Sequence, residues 1–205
     1  MHATAAQSFF EPEAGRECRR GRRNFSHRIL AWVLALAFAS MQSAAATVIA
    51  LHVKRQDDVV VIHASALLDA DASAAWRVLT DYQRYSEFIP GVRRSEIVRR
   101  NGASVTVEQS LSAPLWLLHV PVDITYRIVE VPPSRLYSRG KADQGFVDST
   151  YTVTPLPMGV RLDYVGRMVP AGVLRFLESV AGERIVAAEF QALATEIERQ
   201  YQVAQ

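Results

Sequence analysis

Histidine side chains are the first candidates for acid–base or metal chemistry, and three of them, His52, His63 and His119, lie after residue 46. None has a partner at the spacing of a metal-ligand set. His63 lies in the middle of a predicted strand and would act as an acid or base if it faced a cavity. A histidine packed and hydrogen-bonded within a sheet is the commoner case. We therefore predict no catalytic histidine, no metal site and no cofactor.

Acidic residues and sequence motifs add little chemistry. Asp69 and Asp71 precede a predicted helix and are typical capping residues, and Asp81 is expected to fix the turn that follows it. The chain has no GxSxG, HExxH, GxGxxG or P-loop motif. Its single cysteine, Cys18, lies near the N-terminus, so thiol catalysis, disulfides and cysteine-bound metals are excluded from the rest of the chain.

The composition is that of one globular domain: 205 residues, of which 49% are hydrophobic and 21% charged. The basic residues are unevenly placed. Residues 1–46 carry six arginines and three glutamates, which leaves 17 basic and 18 acidic residues in the remainder. Since that remainder is nearly neutral, it lacks the cationic surface that nucleic-acid binding requires.

The N-terminal segment has the features of an export signal. Residues 19–28 are basic, residues 29–38 form a short apolar run, and residues 43–46 supply the small side chains of a cleavage site after Ala45 or Ala46. Cleavage would leave residues 47–205 as a single exported domain, periplasmic in a Gram-negative bacterium. The alternative is an uncleaved anchor in the inner membrane.

The export route is open between two pathways. Arg22-Arg23-Asn24-Phe25 resembles a twin-arginine export motif, although Gly21, Ser26 and His27 depart from it. The long stretch before Arg22 fits either a twin-arginine leader or a start codon assigned too far upstream. The general secretory route fits the same apolar run.

The first elements of the remaining chain are a strand and two short helices. Residues 59–68 are rich in β-branched side chains and predict a strand. Asp71 is a suitable N-cap for a helix over residues 72–79. A second helix, over residues 82–88, must end at Pro90-Gly91.

Alternating hydrophobicity then predicts a meander of antiparallel strands, about seven in all with the first. Asn101-Gly102 predicts a type I′ turn between the first two of them. The predicted strands of the meander cover residues 92–100, 103–111, 122–128, 135–141, 147–153 and 160–168.

A long helix ends the chain. Its apolar stripe has helical spacing and must be buried against the sheet, which predicts an α+β fold. The stripe consists of Val186, Phe190, Leu193, Ile197 and Tyr201. Glu189, Glu196, Glu198 and Arg199 lie off the stripe and are expected to face solvent.

The opening helices resemble a known family. Residues 70–76 (ADASAAW), 78–82 (VLTDY) and 88–92 (FIPGV), with Tyr85 and Ser95, resemble the polyketide cyclase and coenzyme Q-binding branch of the START superfamily. The resemblance extends over residues 59–201. It implies a helix-grip fold, in which a curved antiparallel sheet wraps around the C-terminal helix and leaves a cavity. Members bind ubiquinone, lipids, sterols or polyketides, and a minority are cyclases.

The resemblance also implies which side chains line that cavity. Bulky apolar and aromatic residues of the short helices, the strands and the final helix are the candidates, with tyrosine hydroxyls orienting a ligand's polar end. The candidates are Trp76, Tyr82, Phe88, Val107, Trp116, Ile124, Tyr126, Tyr151, Tyr164, Met168, Phe176 and Phe190.

Residues 113–118 (APLWLL) interrupt the alternation. They are either a buried crossing or an exposed apolar tip through which the protein touches a bilayer transiently.

The resulting expectation is an exported, non-enzymatic carrier of a hydrophobic small molecule, such as a quinone, a lipid or a polyketide-like compound. The alternative is a cyclase or dehydratase that uses the same cavity, with His63 or a tyrosine as acid–base group. A protein-interaction module is a third and weaker reading.

Overall fold

The computed structural model describes residues 47–115, 118–143 and 145–205, with backbone alone for 47–49, 113–115, 118, 173–174 and 176–181. The strands are β1 (Thr47–Gln56), β2 (Val59–Leu68), β3 (Val92–Asn101), β4 (Ser104–Leu115), β5 (Leu118–Val131), β6 (Arg135–Ala142), β7 (Gly145–Pro155) and β8 (Val160–Pro170). The α-helices are α1 (Ala72–Thr80), α2 (Tyr85–Phe88) and α3 (Val173–Val203), with a 3₁₀ turn, Tyr82–Arg84, before α2.

Within these residues, eight strands form one curved antiparallel sheet in the order β1-β2-β8-β7-β6-β5-β4-β3. The one step that is not between consecutive strands is the pairing of β2 with β8. The α1 and α2 segments connect β2 to β3 at the far edge of the sheet. The predicted α+β, helix-grip architecture is confirmed.

The sequence predicted about seven strands, and β1 was not among them. This strand pairs with β2 through a two-residue turn in which Asp57 has a φ of 55°. β1 begins directly after the predicted cleavage site, and residues 48–51 form a continuous apolar run without the alternation that indicates a half-buried strand.

The turn between β3 and β4 also differs from the prediction. Asn101 pairs with Ser104, so the two central residues are Gly102 and Ala103, one residue later than expected. The positive φ falls on Gly102, at 56°, and not on Ala103. This is the pattern of a type II′ turn, which needs glycine at its first central position only.

The core lies where α1 and the C-terminal half of α3 pack on the inner face of the sheet. In β2, Ile62, Ala64 and Ala66 point inward and are buried, as the alternation predicts. From α1, Val78 and Leu79 are fully buried against the same cluster.

The polar residues of α3 are less exposed than the sequence predicted. Glu196 and Glu198 are both buried, at 7% and 5% exposure, although they lie off the apolar stripe. Glu196 accepts hydrogen bonds from Arg199 at 2.6 Å and Gln200 at 2.9 Å. Glu198 Oε1 accepts the Asp69 backbone N–H at 3.0 Å, and burial raises the pKa of this carboxyl. The expected solvent positions were therefore wrong, because the connection after β2 covers this side of the helix.

No helix in the described part of the chain combines the length and the apolar character needed to cross a membrane.

The N-cap of α1 provides a test of the fold. The Asp71 carboxylate accepts the Ala74 N–H at 2.6 Å, whereas the adjacent Asp69 offers no side-chain cap in the described structure. We expect Asp71→Ala to lower the free energy of unfolding by about 1 kcal/mol. Urea denaturation measures the effect, with Asp69→Ala as the matched control. Equal losses in the two variants would contradict this assignment of the cap.

Candidate functional site

A cavity of about 830 Å³ lies between the inner face of the sheet and α3. Its walls come from β2–β8, from the α2 region and from residues 182–189 of α3. It is the part of the inner face that the C-terminal half of α3 and α1 leave uncovered. A volume of this size falls within the range of roughly 300–1,000 Å³ typical of small-molecule sites.

Most of the cavity wall is apolar. The side chains with this character include Ile62, Val92, Leu111, Val122, Ile124, Ile128, Leu136, Val147, Met168, Ile185 and Val186. Such a wall favours a ligand that is itself mainly hydrocarbon.

Three tyrosines interrupt the apolar wall: Tyr126 of β5, Tyr151 of β7 and Tyr164 of β8. Tyr151 and Tyr164 are partners in the sheet, and their ring centroids are 4.8 Å apart. In the described structure, the Tyr126 and Tyr151 hydroxyls have no hydrogen-bond partner. They are therefore free to bind a ligand.

Two glycines make room for these rings. A Cβ atom at Gly140, opposite Tyr126 in the sheet, would lie 2.6 Å from the ring carbon Cε1 of Tyr126. A Cβ atom at Gly166 would lie 2.6 Å from the Tyr164 hydroxyl oxygen. Since no side chain tolerates such contacts, the tyrosine positions depend on glycine at both places.

Glu189 reaches the cavity from α3. It completes a helical series, Gly182, Ile185, Val186 and Glu189, that faces the cavity at intervals of three, one and three residues. The sequence predicted a solvent position for Glu189, which was wrong, because this half of α3 faces the cavity and not the core. The side chain is half-buried and forms no hydrogen bond or ion pair with any described residue.

Burial raises the pKa of Glu189 from 4.5 to about 7. In a site with apolar walls and no paired cation, the protonated carboxyl avoids the cost of desolvating a charge. Near neutral pH the group therefore exchanges between a hydrogen-bond donor and an anion.

The tyrosines stay protonated over the same pH range. Burial, followed by the nearby Glu189 charge, raises the pKa of Tyr164 to about 12. Burial raises the Tyr126 and Tyr151 pKa values too, and the charge on Glu189 contributes to both. All three hydroxyls are hydrogen-bond donors at physiological pH.

Two further tyrosines at the cavity have their hydroxyls occupied. Tyr82 donates to Glu130 at 2.9 Å, and Glu130 also pairs with Arg100 at 3.0 Å. Tyr85 donates to the Leu79 carbonyl at 2.7 Å. These two residues position the short helices against the sheet and offer the cavity their ring surfaces.

The structure places six of the twelve predicted ligand-binding residues on the cavity wall: Tyr82, Ile124, Tyr126, Tyr151, Tyr164 and Met168. It places Val107 and Phe190 in the buried core, and Trp76 and Phe88 partly buried against that core. Trp116 and the side chain of Phe176 lie outside what the structure describes. Ligand contact by any of these residues stays a prediction.

Sequence reasoning missed several polar residues of the cavity. Besides Glu189, they include Ser138 and Ser149, whose hydroxyls are 2.6 Å apart, and Gln109, which donates to Ser95 at 3.1 Å. The helical series ending at Glu189 was a usable signal. His63, which the sequence analysis considered as an acid or base if it faced a cavity, is exposed and does not line this cavity.

No group of three or more potential ligands in the described residues could hold a metal ion. A second hollow, of about 510 Å³, is lined mainly by polar and charged side chains, among them Arg94, Glu108, Asp123 and Lys141. Ser110 donates to Asp123 there at 2.6 Å. Its lining does not suit a hydrophobic ligand.

A family described as "Polyketide cyclase / dehydrase and lipid transport" matches residues 59–202. The chain belongs to this family. The match nearly coincides with the extent of the resemblance in the sequence, residues 59–201. No curated protein matches the chain.

Solved structures support the same fold. The Zhui aromatase/cyclase from a Streptomyces species is 17% identical, with a TM-score of 0.62, covering 71% of this chain and 98% of its own. A STAR-related lipid transfer protein from Xanthomonas axonopodis is 16% identical, with a TM-score of 0.61, covering 75% and 98%. The di-domain ARO/CYC StfQ of steffimycin biosynthesis is 13% identical, with a TM-score of 0.59, covering 71% and 51%.

The elevated pKa of Glu189 predicts a pH dependence of stability. The folded protein holds this proton up to a pH of about 7, whereas the unfolded chain releases it near 4.5. The contribution of Glu189 to stability is therefore lost as the pH rises between these values. Relative to Glu189→Gln, the wild type should lose about 1–2 kcal/mol of its free energy of unfolding between about pH 5 and pH 8. This is less than the full pKa difference would give, because water in the cavity screens the charge.

Urea denaturation at several pH values measures this difference. Glu183→Gln, an exposed position on the same helix, is the control and should follow the wild type. Parallel stability curves for the wild type and Glu189→Gln would contradict a buried, proton-binding Glu189.

Proposed function

We propose that this protein is an exported carrier that holds a hydrophobic small molecule, a quinone or a lipid, in the cavity between the sheet and α3. The observation that carries the proposal is the cavity itself: about 830 Å³ of space with a mainly apolar wall and a few hydroxyl and carboxyl groups. Family membership supports it, because the family description includes lipid transport.

The affinity would come from the apolar wall and the orientation from the polar groups. Burying hydrocarbon against side chains such as Ile124 and Val186 releases water and favours binding without directional demands. The tyrosine hydroxyls, in contrast, reward one orientation, in which a ligand oxygen lies among them. A molecule with a polar ring or headgroup and an apolar tail meets both conditions.

A second candidate function is a cyclase or dehydratase activity, and the polar cluster of Glu189, Tyr126, Tyr151 and Tyr164 favours it. A carboxyl group with a pKa of about 7 is suited to move protons at physiological pH. Tyrosine donors beside it would stabilise an enolate oxygen. The same cavity would hold a poly-β-ketone chain in a folded shape, which lowers the entropic barrier to ring closure.

Recovery of the bound molecule tests the carrier function. We expect the protein, purified from its native host without denaturant and extracted with organic solvent, to release a near-stoichiometric quinone or lipid that mass spectrometry identifies. Tyr126→Ala should reduce occupancy several-fold, because it removes both a wall and a hydroxyl. Tyr137→Ala, an exposed tyrosine on β6, is the matched control and should retain full occupancy.

The enzyme hypothesis is tested with the same preparations. The enzyme hypothesis would replace the carrier hypothesis on two results. The folded protein would be empty in repeated preparations, and it would convert a poly-β-ketone analogue to a cyclised product, with turnover lost in Glu189→Gln. Full ligand occupancy in Tyr126→Ala would contradict the assignment of this residue to the ligand site.

Export is the part of the proposal that rests on residues 1–46. We expect the full chain, expressed with a C-terminal epitope tag in a Gram-negative host, to be recovered from the periplasmic fraction. Loss of export on replacing Arg22 and Arg23 by lysine would assign the twin-arginine route, and retained export the general secretory route. Replacement of Arg19 and Arg20 is the control. Recovery of the tagged chain from the cytoplasmic fraction alone would contradict export.

A further inference from the structure

Glu189 is a polar group without a partner at the cavity wall. Arg93, Arg184 and His119 also line the cavity, but none of them forms an ion pair with Glu189 in the described structure. The charge of Glu189 contributes to the raised pKa values of Tyr126, Tyr151 and Tyr164, so these three tyrosines are titratable groups close to it. The carboxyl therefore has three potential donors near it and no cation bound to it.

We infer that Glu189 and the hydroxyls of Tyr126, Tyr151 and Tyr164 form the subsite for the ligand's polar end, and that this subsite selects an uncharged oxygen, as in a ketone or quinone, over a carboxylate. The inference rests on the proposed binding function and narrows its ligand class.

The selectivity follows from hydrogen-bond capacity. Protonated tyrosines are donors, and a protonated Glu189 adds one more, so a carbonyl oxygen of the ligand would find several donors and no competing charge. The two hydroxyls that lack a protein partner, those of Tyr126 and Tyr151, gain one when such a ligand binds.

A carboxylate ligand meets the opposite situation. Its negative charge would enter an apolar cavity beside a carboxyl group that titrates near neutral pH, and the two groups could not both ionise without strong repulsion. Arg93, Arg184 and His119 also line the cavity, but none of them pairs with Glu189, so a carboxylate bound beside Glu189 and the tyrosines would gain no ion pair at this subsite. A fatty acid would therefore bind more weakly than a neutral molecule of equal length.

Two glycines show that the subsite is built into the sheet: Gly140 lies opposite Tyr126, and Gly166 lies two residues from Tyr164 on β8. Gly140 and Gly166 leave the space that the rings of Tyr126 and Tyr164 occupy. Tyrosines of β5, β7 and β8 and one turn of α3 therefore contribute polar groups to the same cavity. This arrangement would be unnecessary for a cavity that held hydrocarbon alone.

Equilibrium dialysis of the purified, solvent-stripped chain with two labelled probes tests the inference. The probes are palmitic acid and the methyl ketone of the same chain length, each at about pH 5.5 and about pH 8.5. We expect wild-type protein to bind the ketone about tenfold more tightly at the lower pH, because ionised Glu189 cannot donate to it. At the higher pH the ketone should still bind more tightly than the acid.

Variants separate Glu189 from the rest of the cavity. Glu189→Gln keeps a donor at every pH, so its ketone affinity should no longer change with pH and its discrimination against palmitic acid should narrow. Glu183→Gln should behave as wild type, and circular dichroism confirms that each variant is folded. If Glu189→Gln fails to fold, the wild-type pH dependence and probe preference decide the matter alone.

The failures are distinguishable. Equal binding of both probes at both pH values would overturn the charge-selective subsite and leave the carrier function standing. Binding of neither probe to any folded variant would overturn the carrier function, and the inference with it.

Discussion

The inner face of an eight-stranded sheet has to be buried, and in the described structure one long helix and the short α1 do most of this work. Phe190, Leu193 and Ile197 of α3 pack with α1 against the sheet and form a continuous core. These elements are too few to cover the whole face. The remaining area, facing residues 182–189 of α3, is left as a cavity of about 830 Å³. Because side chains around an unfilled apolar cavity lack packing contacts, a cavity of this size lowers the stability of the folded protein. A bound ligand would restore part of that stability.

The same helix changes its role along its length. Its C-terminal half supplies core residues, whereas its N-terminal half supplies a cavity wall and the carboxyl of Glu189. The strands divide in a similar way. Alternation places the Tyr126, Tyr151 and Tyr164 rings on the inner face, where they pack against the core and also line the cavity. Core and site therefore share elements, and substitutions in α3 will affect folding or binding according to which half they touch.

Family membership limits the function to a class, polyketide cyclisation or dehydration and lipid transport, and the side chains that line the cavity determine the chemistry within that class. An aromatase/cyclase and a lipid transfer protein share this fold with the chain at TM-scores of 0.62 and 0.61 and at identities of 17% and 16%. A fold that accommodates both activities cannot choose between them. The choice depends on the polar groups in the cavity, which here include the Glu189 carboxyl, without a partner among the described residues, and three tyrosine hydroxyls.

The sequence by itself determined the order of elements, because strand alternation, helical spacing and capping are local properties; the strand over residues 59–68 and the Asp71 cap illustrate this. It missed β1, which begins with a continuous apolar run and not with an alternating pattern, and it placed the β3–β4 turn one residue early. Half of the predicted ligand-binding residues lie on the cavity wall, and Val107 and Phe190 lie in the core instead. Only the tertiary structure decided the positions of Glu189, Glu196 and Glu198, because burial depends on what covers each face of a helix, and a helical period does not specify the covering element.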